Sequence, residues 1–258
     1  MPSSNNFAFF AYTISIMKEL RITETVSRKR LGIIASSLSQ IFRVAGVKAR
    51  YEEGDSTAAL IIEIPEHYLE FVFAEVREKL ADVIVVGYKY DFFMQNTQFW
   101  GLTAEQKELF LTAVIAADYL EDRRFAQRAI ILCQEISIDG IYHFKLQKLT
   151  EKWQEICTCL PSYFGEEVYR SFMQYLIDDF SDSSVYLVGE MVYDKRYGKR
   201  NLSLLLSEKH VPNPAQEILL CCAKNLHVVG EEESSAMPFV KDFYGKNVRF
   251  YSGEKLGL

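Results

Sequence analysis

Apolar positions along the chain recur at two periods, and the switches between them outline its elements. Residues 7–16 form an aromatic, β-prone run and predict a strand. From 23 to 44, Val26, Leu31, Ile34, Leu38 and Phe42 return at helical spacing, and Gly46 supplies a stop. Residues 47–51 and 57–64 predict two strands of a hairpin around the turn EEGDS. Pro65 opens a helix over 66–80, with Leu69, Phe73, Val76 and Leu80 on one face. The run VIVVGY at 83–88 predicts another strand. The order β-α-β-β-α-β is that of a ferredoxin-like domain, expected over residues 1–95 with two helices on one face of a four-stranded antiparallel sheet.

The remainder, 96–258, reads as a helical block followed by a small α/β unit, so the expected class is α+β. Residues 91–101 link the two parts and carry Phe92, Phe93, Phe99 and Trp100, which predicts a linker that packs down. Thr103 and Gln106 form a capping box, and the helix behind them is expected to run to about 135 with a break near Glu121. Further helices are expected over 141–157, with Tyr142, Leu146, Leu149, Trp153 and Ile156 inward, and over 166–180, with Val168, Phe172, Leu176 and Phe180 inward. Residues 185–193 and 201–206 predict a hairpin whose tip is 194–200. Asn213 with Pro214 and Gln216 starts a helix. A strand at 226–229, a helix at 235–243 and a strand at 248–251 follow.

Composition changes this picture little. The chain has 258 residues, 49% hydrophobic and 25% charged, within the globular range. Fifteen Tyr and 18 Phe predict an aromatic core. With 29 Lys and Arg against 35 Asp and Glu, the net charge of −6 lacks the bulk positive field of a nonspecific nucleic-acid binder, so any such binding needs a local patch. No apolar run reaches the length of a membrane span. The first 17 residues hold no charged side chain, hence no basic region of the kind that opens a signal peptide. The five cysteines read as free thiols of a reducing, cytoplasmic setting.

Candidate chemistry is sparse. Cys157, Cys159, Cys221, Cys222, His210 and His227 are the available soft ligands, but C-x-C and C-C do not match zinc-knuckle spacing, and no metal or cofactor is expected. Ser183 and Ser184 read as turn residues, and no nucleophile elbow, Walker loop or dinucleotide fingerprint is present. Two surfaces remain. Lys195, Arg196, Lys199 and Arg200, interleaved with Tyr193 and Tyr197, form a basic turn suited to a phosphate or a nucleic-acid backbone, with Gly198 expected at positive φ. Asp139, His143, Lys145, Lys148 and Lys152 form a candidate binding surface beside the apolar side of their helix, with Asp139 expected to cap its first turn.

The same segment carries a family likeness. ISIDGIYHFKLQKL, 136–149, resembles the glycine, aromatic and Phe-Arg-Leu helix signature of the YtxC-like sporulation proteins of spore-forming bacteria. Gly140, Phe144 and Leu146 stand at that family's glycine, phenylalanine and leucine. Lys145 stands where the family has arginine, and Ile141 where it has phenylalanine. The likeness continues through 166–180 and 215–232 to the ending VRFYSG. It implies a cytoplasmic, sporulation-associated protein and no particular reaction. With no convergent catalytic constellation in the sequence, the expected function is a binding or scaffold module with a protein partner. A phosphate- or nucleotide-ligand protein or enzyme, and a nucleic-acid-backbone binder, are the alternatives.

Overall fold

A computed structural model of the chain describes residues 16–25, 28–54, 56–131, 133–206, 211–230 and 234–252. Its first strand, β1 (Met17–Glu24), buries Leu20, Ile22 and Glu24 at alternate positions. The expected strand at 7–16 lies, but for Ile16, outside the described residues. β1 takes Thr23 and Glu24 out of the expected helix, which begins later as α1 (Arg28–Ser37) and resumes after Leu38 as α2 (Ser39–Val44). β2 (Lys48–Glu53) and β3 (Ala58–Pro65) form the expected hairpin. β3 also pairs antiparallel with β1.

The main departure comes next. α3 (Leu69–Asp82) does not hand over to a strand. Val83–Tyr88 continues it as a π-helical stretch, and α4 (Lys89–Asn96) follows without a break. All six residues of the π segment are buried. A helix enclosed on every side has no polar face, so its sequence looks like that of a buried strand. The fourth place in the sheet goes instead to β4 (Glu135–Ser137), which lies parallel to β1 and gives the order β2-β3-β1-β4. A ferredoxin-like closing strand at 83–88 is therefore absent, and the strand that closes the sheet comes from beyond the expected boundary at residue 95. What holds is the coarser class, a mixed fold of helices and two β-sheets.

α5 (Ala104–Ala129) is one 26-residue helix with no break at Glu121. Its capping box is formed in both directions, Thr103 Oγ accepting the Gln106 N–H and Gln106 Oε1 accepting the Thr103 N–H. α6 (Ile138–Lys145) and α7 (Gln147–Cys159) divide at Leu146 where one helix was expected. In α8 (Glu166–Asp178) the inner face is Tyr169, Met173, Leu176 and Ile177, and Val168 is exposed.

The second sheet differs from expectation at its hairpin. β5 (Ser181–Val188) starts earlier, turns at Gly189 (φ 57°), and pairs with β6 (Met191–Tyr193). The segment expected as its partner is a 3-10 turn, Leu202–Leu205. Residues 194–200 are thus a loop beyond the hairpin, not its tip. Asn213 caps α9 (Pro214–Leu220) as expected, accepting from the Ala215 and Gln216 amides. β7 (Ala223–Val229), α10 (Met237–Phe243) and β8 (Val248–Tyr251) complete the unit. The sheet order is β6-β5-β7-β8, with β5, β7 and β8 parallel. One continuous apolar cluster runs from Leu20 and Ile22 through Val85 and Ile115 to Leu187 and Leu226.

Candidate functional site

The 139–152 segment does not present its five polar candidates together. Ser137, not Asp139, caps α6, its Oγ accepting the Gly140 N–H at 3.0 Å. Asp139 turns inward, because its carboxylate finds better donors at the end of β1. It accepts the Thr25 N–H and the Tyr88 hydroxyl, each at 2.8 Å. Burial pushes its pKa up, but those hydrogen bonds outweigh burial and leave it below the ordinary aspartate value. Tyr88 also lies 3.1 Å from Glu24, a fully buried carboxylate paired at 2.7 Å with Arg30. Burial raises the Glu24 pKa despite Arg30. Asp139 is a pin between α6 and β1.

His143 is exposed and borders a cleft of about 400 Å³ with Phe92, Tyr142, Gln147 and Thr150. Lys145 and Lys148 are exposed. Lys152 is not a free cation: its Nζ lies 2.7 Å from Glu121, 2.9 Å from Asp122 and 3.5 Å from Asp118. The candidate surface therefore separates into a buried pin, an α5 ion pair and three solvent-facing side chains.

The basic turn is built around Asp194. Its Oδ1 accepts the N–H groups of Arg196 and Gly198, at 2.8 and 3.0 Å. Positive φ falls on Tyr197 (61°) and not on Gly198. Gly198 has another use, since a Cβ there would come within 3.2 Å of the Asp194 carboxylate. Lys195, Arg196 and Lys199 point to solvent. Arg200 does not. Its N–H donates to Val192 O at 2.8 Å, and its side chain turns inward toward Cys221, Tyr119, Asp82 and Glu217. Three of the four expected cations thus remain available at the turn.

Beside this turn lies a surface that the sequence did not single out. In β5 and β7, Val185, Leu187, Leu226 and Val228 point into the core. The alternate residues, Ser184, Tyr186, Asn225 and His227, therefore face the other way. Register places Tyr186 opposite His227 and His227 opposite Arg249. Tyr197, from the basic turn, packs on Tyr186 with ring centroids 5.0 Å apart. Tyr186 stacks on His227 at 4.9 Å, and His227 on Tyr251 at 5.5 Å. Four rings thus form a row across the sheet, each partly or fully open to solvent.

His227 is fixed within the row by both ring nitrogens. Nε2 lies 3.1 Å from Ser184 Oγ and Nδ1 3.0 Å from the Tyr251 hydroxyl. Burial first, and then the nearby Arg249 charge, lower its pKa and favour the neutral ring. A neutral imidazole can donate to one hydroxyl and accept from the other, which locks the row's geometry. The exposed cations Lys195, Arg196, Lys199 and Arg249 flank it. The alternation of polar and apolar residues in 184–188 and 225–229 was the signal available in the sequence. That signal is weak, because by local pattern alone His227 also reads as a soft metal ligand and Ser184 as a turn residue.

Among the described residues no group of three or more His, Cys, Asp or Glu is arranged to hold a metal ion, and no helix is long and apolar enough to cross a membrane. His210 lies outside the described residues. Burial pushes the thiols of Cys221 and Cys222 up to about 12, so they sit in the core as thiols. The chain matches no protein-family model, no curated protein and no solved structure.

Proposed function

We propose that this protein is a binding module that holds single-stranded nucleic acid on the open face of its second sheet. The observation that carries this reading is the coincidence of an aromatic row, Tyr197-Tyr186-His227-Tyr251, with flanking cations on one solvent-facing surface. Phosphates are attracted by Lys195, Arg196, Lys199 and Arg249, while the exposed rings of the row offer faces to bases. Electrostatics makes the patch local: the chain as a whole is acidic, so binding depends on this surface and not on net charge. The reading is favoured over a protein scaffold because a protein partner would not require rings and cations to coincide. A cytoplasmic role in sporulation belongs to the same proposal and rests on the likeness of 136–149 to the YtxC-like proteins.

Anisotropy of a labelled single-stranded RNA provides the test. Affinity should fall steeply as salt is raised. Replacing Lys195, Arg196 and Lys199 together by Ser should weaken binding at least about tenfold, an effect typical of losing several phosphate contacts. No binding at low salt, or equal binding by the triple variant, would end the proposal.

A further inference from the structure

A second cationic feature is built from different elements, along the seam between α3 and the C-terminal half of α5. Arg77 from α3 and Arg124 and Arg128 from α5 line one groove of about 640 Å³, together with Gln127, Ile130 and Ile131. The placement follows from helix geometry. Arg124 and Arg128 are four residues apart and so share a face, while Ala126 between them is buried against the core. Val76, next to Arg77, is buried in the same way and turns the arginine toward the seam.

The carboxylates nearest the groove are already engaged. Glu78, also on its lining, is ion-paired with Arg123 and accepts Gln127 Nε2 at 2.7 Å. Asp82, one turn further along α3, accepts Arg123 Nε at 2.6 Å and the Tyr119 hydroxyl at 2.7 Å. Among the described residues, no carboxylate lies within ion-pair distance of Arg77, Arg124 or Arg128. Several other arginines of this acidic chain are ion-paired: Arg21 with Glu52, Arg30 with Glu24, Arg50 with Glu63, Arg170 with Glu166. The Arg77 Nε is moreover buried without an acceptor. Like charges four residues apart on a helix repel, and a buried donor without a partner is destabilising. Arg128 by itself is accounted for by the negative end of the α5 dipole, but Arg77 and Arg124 are not.

We infer that this groove is a binding site for a small phosphorylated ligand carrying two or more negative charges. Guanidinium groups suit this chemistry because their planar forks pair with phosphate oxygens two at a time. The groove is of the size that holds a nucleotide-sized molecule. Ile131, 76% exposed at its rim, offers apolar surface to the uncharged part of such a ligand. The groove shares no residue with the open sheet face, so each proposal stands or falls alone.

Calorimetric titration with pyrophosphate, with ATP and with inorganic phosphate tests the inference. Pyrophosphate and ATP should bind with a 1:1 stoichiometry and more tightly than inorganic phosphate. Arg124→Ala with Arg128→Ala, both exposed positions, should weaken both ligands at least about tenfold while circular dichroism shows the fold intact. The Lys195, Arg196 and Lys199 triple Ser variant should bind them as the parent does. ATP binding without pyrophosphate binding, equal binding by the double arginine variant, or loss of binding in the turn variant would overturn the assignment. So would the absence of heat with all three ligands at millimolar concentration. If the double variant does not fold, Arg124→Gln alone serves, with an expected loss of about threefold or more, and unchanged affinity would then overturn it.

Discussion

The Lys89 ammonium lies 2.6 Å from the Asp122 carboxylate with both side chains buried, Lys89 completely. Asp122 also accepts Trp153 Nε1 at 2.9 Å, and Lys152 reaches its other oxygen at 2.9 Å. This network joins α4, α5 and α7. It also explains why a lysine expected on a binding surface serves the scaffold instead.

Removing Asp122 should therefore be costly. Asp122→Ala leaves the buried Lys89 charged with only the longer, 3.7 Å contact to Asp118, and should destabilise the protein by about 3–5 kcal/mol in urea denaturation. Lys89→Met keeps the shape of the side chain and leaves Asp122 to Lys152 and Trp153, so it should cost clearly less. The reverse order would show that Lys89 is not the dependent partner.

Three neighbouring substitutions separate core from surface in 139–152. Leu146 is fully buried, and Leu146→Ala should cost about 2–5 kcal/mol. Lys145 is exposed, and Lys145→Ala should stay within about 0.5 kcal/mol. Lys152→Ala should fall between them, because it removes a partner of Asp122. Equal stabilities of the Lys145 and Lys152 variants in the same denaturation series would contradict the ion-pair role.

His227 should make stability depend on pH. Its folded pKa lies below the ordinary 6.5, with burial as the main cause. As pH falls through 6.5, the unfolded chain takes up a proton that the folded ring still refuses. Stability is then lost progressively until the pH passes below the folded pKa, and above 6.5 the contribution is fully present. Thermal melts between about pH 5 and 8 should show this slope in the parent and a smaller one in His227→Gln. Parallel curves for the two proteins would place the pH dependence elsewhere.

Local chemistry was legible wherever neighbours in sequence supply it. The capping box of Thr103 and Gln106, the Asn213-Pro214 helix start and the hairpin of β2 with β3 were all readable from a few adjacent residues. So was the cationic character of 195–199. Residues 83–88 were not, because a continuous apolar run is equally suited to a strand or to a helix buried all round, and only the packing of α3 and α5 about it decides.

The sequence by itself determined a mixed α/β class, the capped helix starts and which residues carry charge. Tertiary structure decided which charges are used up within the protein and which are left for a ligand. Arg200 and Lys152 were indistinguishable in sequence from Lys199 and Lys148. Packing carried the first two toward Tyr119 and Asp122 and left the others in water. Tyr186, His227 and Tyr251, up to 65 residues apart, became one row because strand pairing sets neighbouring backbones less than about 5 Å apart. Periodicity within a segment shows which way a side chain points. What stands opposite it depends on contacts between distant segments, which no local pattern encodes.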